Sequence, residues 1–244
     1  MNARVRLLVV DDEVDTCANL SDILTDLGYQ VDVAYDGPSA LKLVKTNAYE
    51  IALLDLRMPG MDGLELYRRI REVSARTVAI VVTAYAGSDT AKSVLSAGAW
   101  KIIPKPVNIG VLLDLVAHAL DAPLILVVDD DKDLCDNLWD LLRERGYRVH
   151  LSHDIPDAER VLRESKFNLV LIDMKLPAGR GQQLLRTLQQ ADKDARTILI
   201  TGYASEMELE VQQSLNEGAD AVCYKPFDVD KLLAMVQELC TPKA

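Results

Sequence analysis

No CxxC pair and no metal-ligand spacing links the four cysteines, Cys17, Cys135, Cys223 and Cys240. The chain therefore offers no zinc-type motif. Cys17 and Cys135 fall at the same place in two helical patterns, so buried thiols in a reducing cytosol are the expectation. No apolar stretch approaches the length of a membrane span, and no membrane insertion is expected. The opening MNARVRLLVV carries two arginines, but its apolar run is short and meets Asp11 at once. A signal peptide is not expected from such a start. Positive charge is also in short supply. Lys and Arg number 27 against 38 Asp and Glu, a net charge of −11. That balance argues against direct nucleic-acid binding through phosphate contacts. It leaves room for acidic pockets that hold cations.

What remains is an ordinary globular balance: 49% hydrophobic and 27% charged residues over 244 positions. That length fits one large domain or two small ones. Self-comparison decides between them. LLVVDDEVDTCANL at 7–20 matches ILVVDDDKDLCDNL at 125–138. At the same offset Gly28-Tyr29 meets Gly146-Tyr147, Asp55 meets Asp173, Pro59 meets Pro177, Gly63 meets Gly181 and Thr83 meets Thr201. Gly98-Ala99 then meets Gly218-Ala219, and Lys105-Pro106 meets Lys225-Pro226, after a two-residue insertion in the second copy. A period of domain size is a duplicated domain and not a solenoid. The expected domains are 1–121 and 122–244. The junction Leu120-Asp121-Ala122-Pro123-Leu124 has no Gly/Ser linker, so little freedom to reorient is expected. No output domain is expected after about residue 236.

Each copy alternates short apolar runs with amphipathic stretches. In the first copy strands are expected near 5–10, 30–34, 50–55, 77–82 and 99–103. Helices are expected near 14–27, 38–47, 63–74, 88–97 and 109–120. Five βα units imply an α/β fold with a parallel sheet covered on both faces. The near-continuous apolar runs VRLLVV, EIALL and TVAIVV fit such burial. In these sheets ligands bind beyond the C-terminal strand ends.

The strand ends carry the chemistry. Strand one ends on Asp11-Asp12, strand three on Asp55 and strand four on Thr83, and strand five is followed by Lys105. The second copy repeats this with Asp129-Asp130, Asp173, Thr201 and Lys225. A lone carboxylate at the mouth of an apolar core costs several kcal/mol, on the order of a buried unpaired charge, unless something pairs with it. Three carboxylates together repel one another, and a divalent cation resolves the repulsion. Mg²⁺ favours one or two carboxylates, several waters and a phosphate oxygen. A lysine beside such a site can pair with aspartate and later with a phosphoryl oxygen. Aspartate is itself a nucleophile toward phosphorus.

VVDD, LLDLRMPGMDG, VTAYA and PKP occur in this order and then recur, and in this both copies resemble receiver domains of two-component response regulators. The resemblance covers roughly 4–120 and 124–240. It implies two flavodoxin-like (βα)5 domains, each a doubly wound sheet of five parallel strands in the order 2-1-3-4-5. It implies Asp55 and Asp173 as phosphoacceptors, and Asp11, Asp12, Asp129 and Asp130 as metal-site acids. The backbone carbonyls of Arg57 and Lys175 would add metal ligands. Thr83, Thr201, Lys105 and Lys225 would engage the phosphoryl group. The implied cofactor is Mg²⁺. The implied partners are a histidine kinase or phosphotransfer protein and a downstream protein target, in the cytoplasm. Such a protein is not an enzyme beyond phosphorylating and dephosphorylating its own aspartates. The face of helix four, strand five and helix five is the expected output surface and a candidate homodimer contact.

The chain departs from the family pattern in places. Ile102 and Val222 stand where the family usually has an aromatic residue, three before the lysine. Tyr85 and Tyr203 follow the threonines by two and are placed to cover part of the pocket. Arg57 and Lys175 sit at positions that tune the lifetime of the phosphoryl group, so a non-default dephosphorylation rate is expected. PAGRG replaces PGMDG after Asp173.

Blander readings exist for each piece. An Asp before a helix commonly caps it, and a strand-end Thr commonly bonds backbone. Their coincidence, duplicated, favours the pocket. His118, His150 and His153 read as surface or packing residues, and Trp100 and Trp139 as packed or half-packed. An aspartate-nucleophile hydrolase would commonly carry a second Asp where Arg57 and Lys175 stand. A scaffold with one silent receiver, or a fragment of a larger regulator or hybrid kinase, is the remaining alternative. The copies differ in charge, with twelve basic against sixteen acidic residues in 1–121 and fifteen against twenty-two in 122–244. Their partner surfaces are therefore expected to differ.

Overall fold

The computed structural model describes residues 5–176, 181–191, 194–202 and 208–241. Pro177, Tyr203 and most of the PAGRG loop lie outside the described residues. The chain divides into two compact units, Met1–Ala122 and Pro123–Ala244.

The first unit runs β1 (Arg6–Val10), α1 (Val14–Asp26), β2 (Gln30–Ala34), α2 (Gly37–Thr46), β3 (Ile51–Leu54), α3 (Gly63–Val73), β4 (Val78–Thr83), α4 (Asp89–Ser96), β5 (Lys101–Pro104) and α5 (Ile109–Asp121). The second repeats it with β6 (Leu124–Val128), α6 (Lys132–Glu144), β7 (Arg148–Ser152), α7 (Ile155–Glu164), β8 (Leu169–Asp173), α8 (Gly181–Ala191), β9 (Arg196–Thr201), α9 (Glu208–Asn216), β10 (Ala221–Tyr224) and α10 (Val229–Cys240). Each sheet is parallel, in the orders β2-β1-β3-β4-β5 and β7-β6-β8-β9-β10. The fold is the doubly wound, flavodoxin-like α/β architecture.

Composition explains which strands are central. Leu7 to Val10, Ile51 to Leu54 and Val78 to Val82 are buried, because both faces of these strands lie under helices. Full burial of each Val, Leu or Ile side chain among them contributes about 1.5–3 kcal/mol. The edge strand β2, QVDVA, buries only Ala34 fully. In α1 the residues Cys17, Leu20 and Leu24 repeat at helical spacing and turn inward. The chain leaves α1 through Gly28, whose φ of 93° is the left-handed conformation that glycine adopts without a Cβ clash. In α2 and α7, Asp36 and Asp154 accept from the backbone N–H of Ser39 and Asp157, and Pro38 and Pro156 occupy the first turn.

Register sets up the site. Val10 is the partner of Leu54, so the next residues, Asp11 and Asp55, leave the sheet side by side. Val128 and Ile172 are partners in the same way, so Asp129 and Asp173 also come side by side, with Asp173 still paired to Ile200 as the last residue of β8. Thr83 and Thr201 are the last residues of β4 and β9. Cys17, Cys135 and Cys223 are buried free thiols, and Cys240 is half-buried. Among the described residues no helix is long and apolar enough to cross a membrane.

Candidate functional site

In the first unit Lys105 reaches back over the sheet end from the loop after β5. Its Nζ lies 2.7 Å from Asp11 Oδ2, 3.5 Å from Glu13 Oε2 and 3.6 Å from Asp55 Oδ2. Asp11 and Asp55 are buried, while Asp12 is exposed. Asp55 Oδ1 accepts from the Leu56 N–H at 2.8 Å, and Asp11 Oδ1 accepts from the Glu13 N–H at 3.0 Å. Burial pushes the Asp55 carboxyl above its ordinary range, the Lys105 charge opposes this, and the nearby Asp11 adds to it. The Thr83 hydroxyl also pulls it down by hydrogen bonding. Burial pulls the Lys105 ammonium down, but the hydrogen bond to Asp11 and the charges of Asp55, Asp11 and Glu13 outweigh it, and the net direction is upward. Thr83 is fully buried and accepts from the Tyr85 N–H at 3.2 Å.

The second unit repeats the arrangement with a tighter lysine. Lys225 Nζ lies 2.7 Å from Asp129 Oδ2 and 3.1 Å from Asp173 Oδ2. Burial raises the Asp129 carboxyl, against the hydrogen bond from Lys225. Here Met174 N–H bonds the Ile200 carbonyl, so β8 runs through Asp173, and it is the Lys175 N–H that donates to Asp173 Oδ1 at 3.0 Å. Both lysines precede cis prolines, Pro106 and Pro226.

The acid pairs are not helix caps. In α6 the cap is Asp131, one residue beyond the pair, which accepts from the Leu134 N–H. This removes the blander reading of Asp129-Asp130. Arg57 lies with its guanidinium carbon 3.6 Å from the Tyr85 ring centroid, and Tyr85 remains half-exposed at the rim. Ile102 and Val222 are half-buried on β5 and β10. His118 is exposed and bonds within its own helix, to the Asp114 carbonyl. His153 does more than pack, because its Nδ1 lies 3.1 Å from the Asp129 carbonyl.

Two kinds of residue escaped the sequence. Glu13 joins Lys105, as described above. Gly63 and Gly181 open α3 and α8 against the backbone just after the central aspartates. A Cβ on Gly63 would collide with the Asp55 carbonyl oxygen and lie 2.8 Å from Leu56 Cα. On Gly181 it would collide with the Asp173 carbonyl oxygen. The repeat aligns both glycines, but what they accommodate depends on the folded backbone beside them. Gly63→Ala is expected to shift the Asp55 loop and destabilise the first unit by about 1–3 kcal/mol. An unchanged urea midpoint for that unit would refute this.

Ligand atoms of Asp11, Asp12 and Asp55 lie within 4.8 Å of one another, as do those of Asp129, Asp130 and Asp173. An all-oxygen donor set with two buried carboxylates suits a hard divalent cation such as Mg²⁺. A lysine, a strand-end hydroxyl and backbone N–H groups surround the same aspartate. The arrangement can neutralise and orient a phosphoryl group beside a carboxylate oxygen.

The chain is similar to known proteins over both units. The family described as response regulator receiver domain matches residues 7–117 and 125–237. A response regulator receiver protein of Anaeromyxobacter sp. strain Fw109-5 is 34% identical over 234 residues, covering 96% of this chain and 94% of that protein. The sensor histidine kinase RcsC of Salmonella typhimurium is 38% identical over 116 residues, 48% of this chain but 12% of that protein. The crystal structure of a CheY-like receiver domain protein from Methanospirillum hungatei JF-1 has 32% identity and a TM-score of 0.48, covering 49% of this chain and 95% of that one. The chain belongs to the response regulator receiver domain family of two-component signalling, and it carries the domain twice.

Proposed function

We propose that both receivers are phosphoacceptors, with Asp55 and Asp173 taking phosphoryl groups from a histidine kinase or phosphotransfer protein. The observation that carries the reading is a lysine ammonium shared between a β1-type and a β3-type carboxylate, beside a three-aspartate cluster, present in both units. A relative named as a sensor histidine kinase fits that donor class.

A carboxylate oxygen of Asp55 attacks phosphorus, the bond from phosphorus to the donor breaks, and the donor leaves with the electron pair. With acetyl phosphate the leaving group is acetate. Mg²⁺, held by Asp11, Asp12, Asp55 and the Arg57 carbonyl, or by Asp129, Asp130, Asp173 and the Lys175 carbonyl, would supply charge neutralisation for the phosphoryl oxygens. Lys105 and Lys225 lie close enough to transfer their contact from carboxylate to phosphoryl oxygen, and Thr83 and Thr201 offer hydroxyls to another. The chain performs this chemistry only on itself. Output is a population shift read by a protein partner in the cytoplasm, on the face of α4, β5 and α5 or its counterpart in the second unit. The same face is the candidate homodimer contact.

The test is intact mass after incubation with Mg²⁺ and acetyl phosphate, for wild type, Asp55→Asn and Asp173→Asn. Two added phosphoryl groups in wild type and one in each variant are expected. One group in wild type, lost in only one variant, would make the other unit a silent scaffold. None in any sample, with Mg²⁺ binding demonstrated, would overturn the reading.

A further inference from the structure

We propose that Glu13 is a positioning residue for Lys105, and that it slows the loading of Asp55. The inference rests on the phosphoacceptor reading above and concerns what distinguishes the two units.

Glu13 sits at the N-cap of α1 and does not cap it. Among the eight helices with a described N-cap residue, the other seven, α2 to α7 and α10, have a side chain accepting from a backbone N–H of the first turn. A glutamate carboxylate is one methylene too long for that reach, and α1 forgoes the bond. The carboxylate is engaged elsewhere. Glu13 Oε2 accepts from Thr16 Oγ1 at 2.8 Å and lies 3.5 Å from Lys105 Nζ. The residue at the same place in the second unit is Asp131, one methylene shorter, and its carboxylate takes the Leu134 N–H at 3.0 Å.

The two lysines also sit differently. Lys105 has three carboxylates around it, and its distance to Asp55 is 3.6 Å. Lys225 has two among the described residues, and its distance to Asp173 is 3.1 Å. Both keep 2.7 Å to the first acid of the pair, so the difference falls on the contact with the phosphoacceptor. A lysine must give up carboxylate contacts to take a phosphoryl oxygen. Each additional carboxylate that holds it opposes that step. Glu13 is such a carboxylate, and Asp131 is not.

Glu13 is solvent-exposed, so the effect is modest, about two- to fivefold, as for a screened surface pair. The experiment follows Asp55 loading by acetyl phosphate and Mg²⁺ in an Asp173→Asn background, with Glu13, Glu13→Gln and Glu13→Asp. Glu13→Gln is expected to load about two- to fivefold faster, and the gain is expected to shrink in high salt. Glu13→Asp restores a capping carboxylate, so it is expected to raise stability while loading as fast as Glu13→Gln. A merely structural residue would not give two variants with different stabilities and the same rate. Equal rates for all three chains, or a gain that ignores salt, would overturn the inference. No label on Asp55 in any of them would instead overturn the phosphoacceptor reading on which it rests.

Discussion

Lys105→Met is expected to slow phosphorylation of Asp55 by about 10²- to 10³-fold, the usual cost of removing one group aimed at developing negative charge in a water-poor site. Asp173 carries its own lysine and is expected to load at the wild-type rate in the same molecules. The substitution keeps the length and apolar stem of the side chain, so packing changes little. What it removes is the ammonium that lies 2.7 Å from Asp11 and 3.6 Å from Asp55. Those two buried carboxylates then face each other without compensation, and one holds a proton more tightly. A divalent cation entering this cluster no longer competes with the ammonium for the same oxygens. Mg²⁺ affinity at the first site is therefore expected to hold or to rise while phosphorylation falls. Mass spectrometry of the phosphorylated chain, mapped to each aspartate, reads the first quantity, and Mg²⁺ titration by calorimetry reads the second. If Mg²⁺ affinity collapsed together with phosphorylation, Lys105 would be a scaffold for the acids and not a partner of the phosphoryl group. The mirror substitution, Lys225→Met, is expected to reverse the roles of the two sites.

Why so much of this site was legible comes down to register. Apolar runs such as EIALL and NLVLI end abruptly on a carboxylate, and such an ending has few stable outcomes away from other strand ends. The parallel pairing of Val10 with Leu54 and of Val128 with Ile172 turned four one-dimensional endings into two clusters. The strand and helix ranges were legible for the same reason, since a strand buried on both faces and a helix with an inward stripe have different periods. Features that depend on side-chain reach were not legible. One methylene separates Glu13 from Asp131, and the two carboxylates find different partners. The stacking of Arg57 on Tyr85 needs the end of β4 and the loop after β3 in their final places. The role of Gly63 depends on an oxygen, that of Asp55, which the sequence cannot locate. The bond between His153 and the Asp129 carbonyl had no sequence signal, because a histidine after an edge strand is ordinary.

The three-acid cluster also gives the stability of the chain a dependence on pH and Mg²⁺. Burial first, and then neighbouring carboxylates, raise the Asp55 and Asp129 carboxyls above their ordinary value of 3.8. A raised value in the folded state means that the folded chain takes up protons more readily than the unfolded one. Stability from these groups is then fully present below the ordinary carboxylate value and is lost as pH rises through the folded value. Metal-free chain is therefore expected to lose this contribution between acid and neutral pH. Mg²⁺ should return it, because the cation binds the ionised folded cluster: at one hundred times its Kd it contributes about 2.7 kcal/mol. Protons compete for the same oxygens, so the Mg²⁺ increment is expected to be larger at pH 8 than at pH 5. Asp55→Asn removes a buried charge and keeps the shape. It is expected to stabilise the metal-free first unit by about 0.5–2 kcal/mol, the range common when a functional group is relaxed. It should also remove most of that unit's response to Mg²⁺. Melting curves of wild type, Asp55→Asn and Asp173→Asn, with Mg²⁺ and with chelator at both pH values, measure all of this. A wild-type Mg²⁺ increment that stayed the same at both pH values, or that survived Asp55→Asn and Asp173→Asn combined, would place the cation away from these aspartates. If the increment vanishes with the aspartates, the instability of each site is the cost of holding three acids ready for a cation.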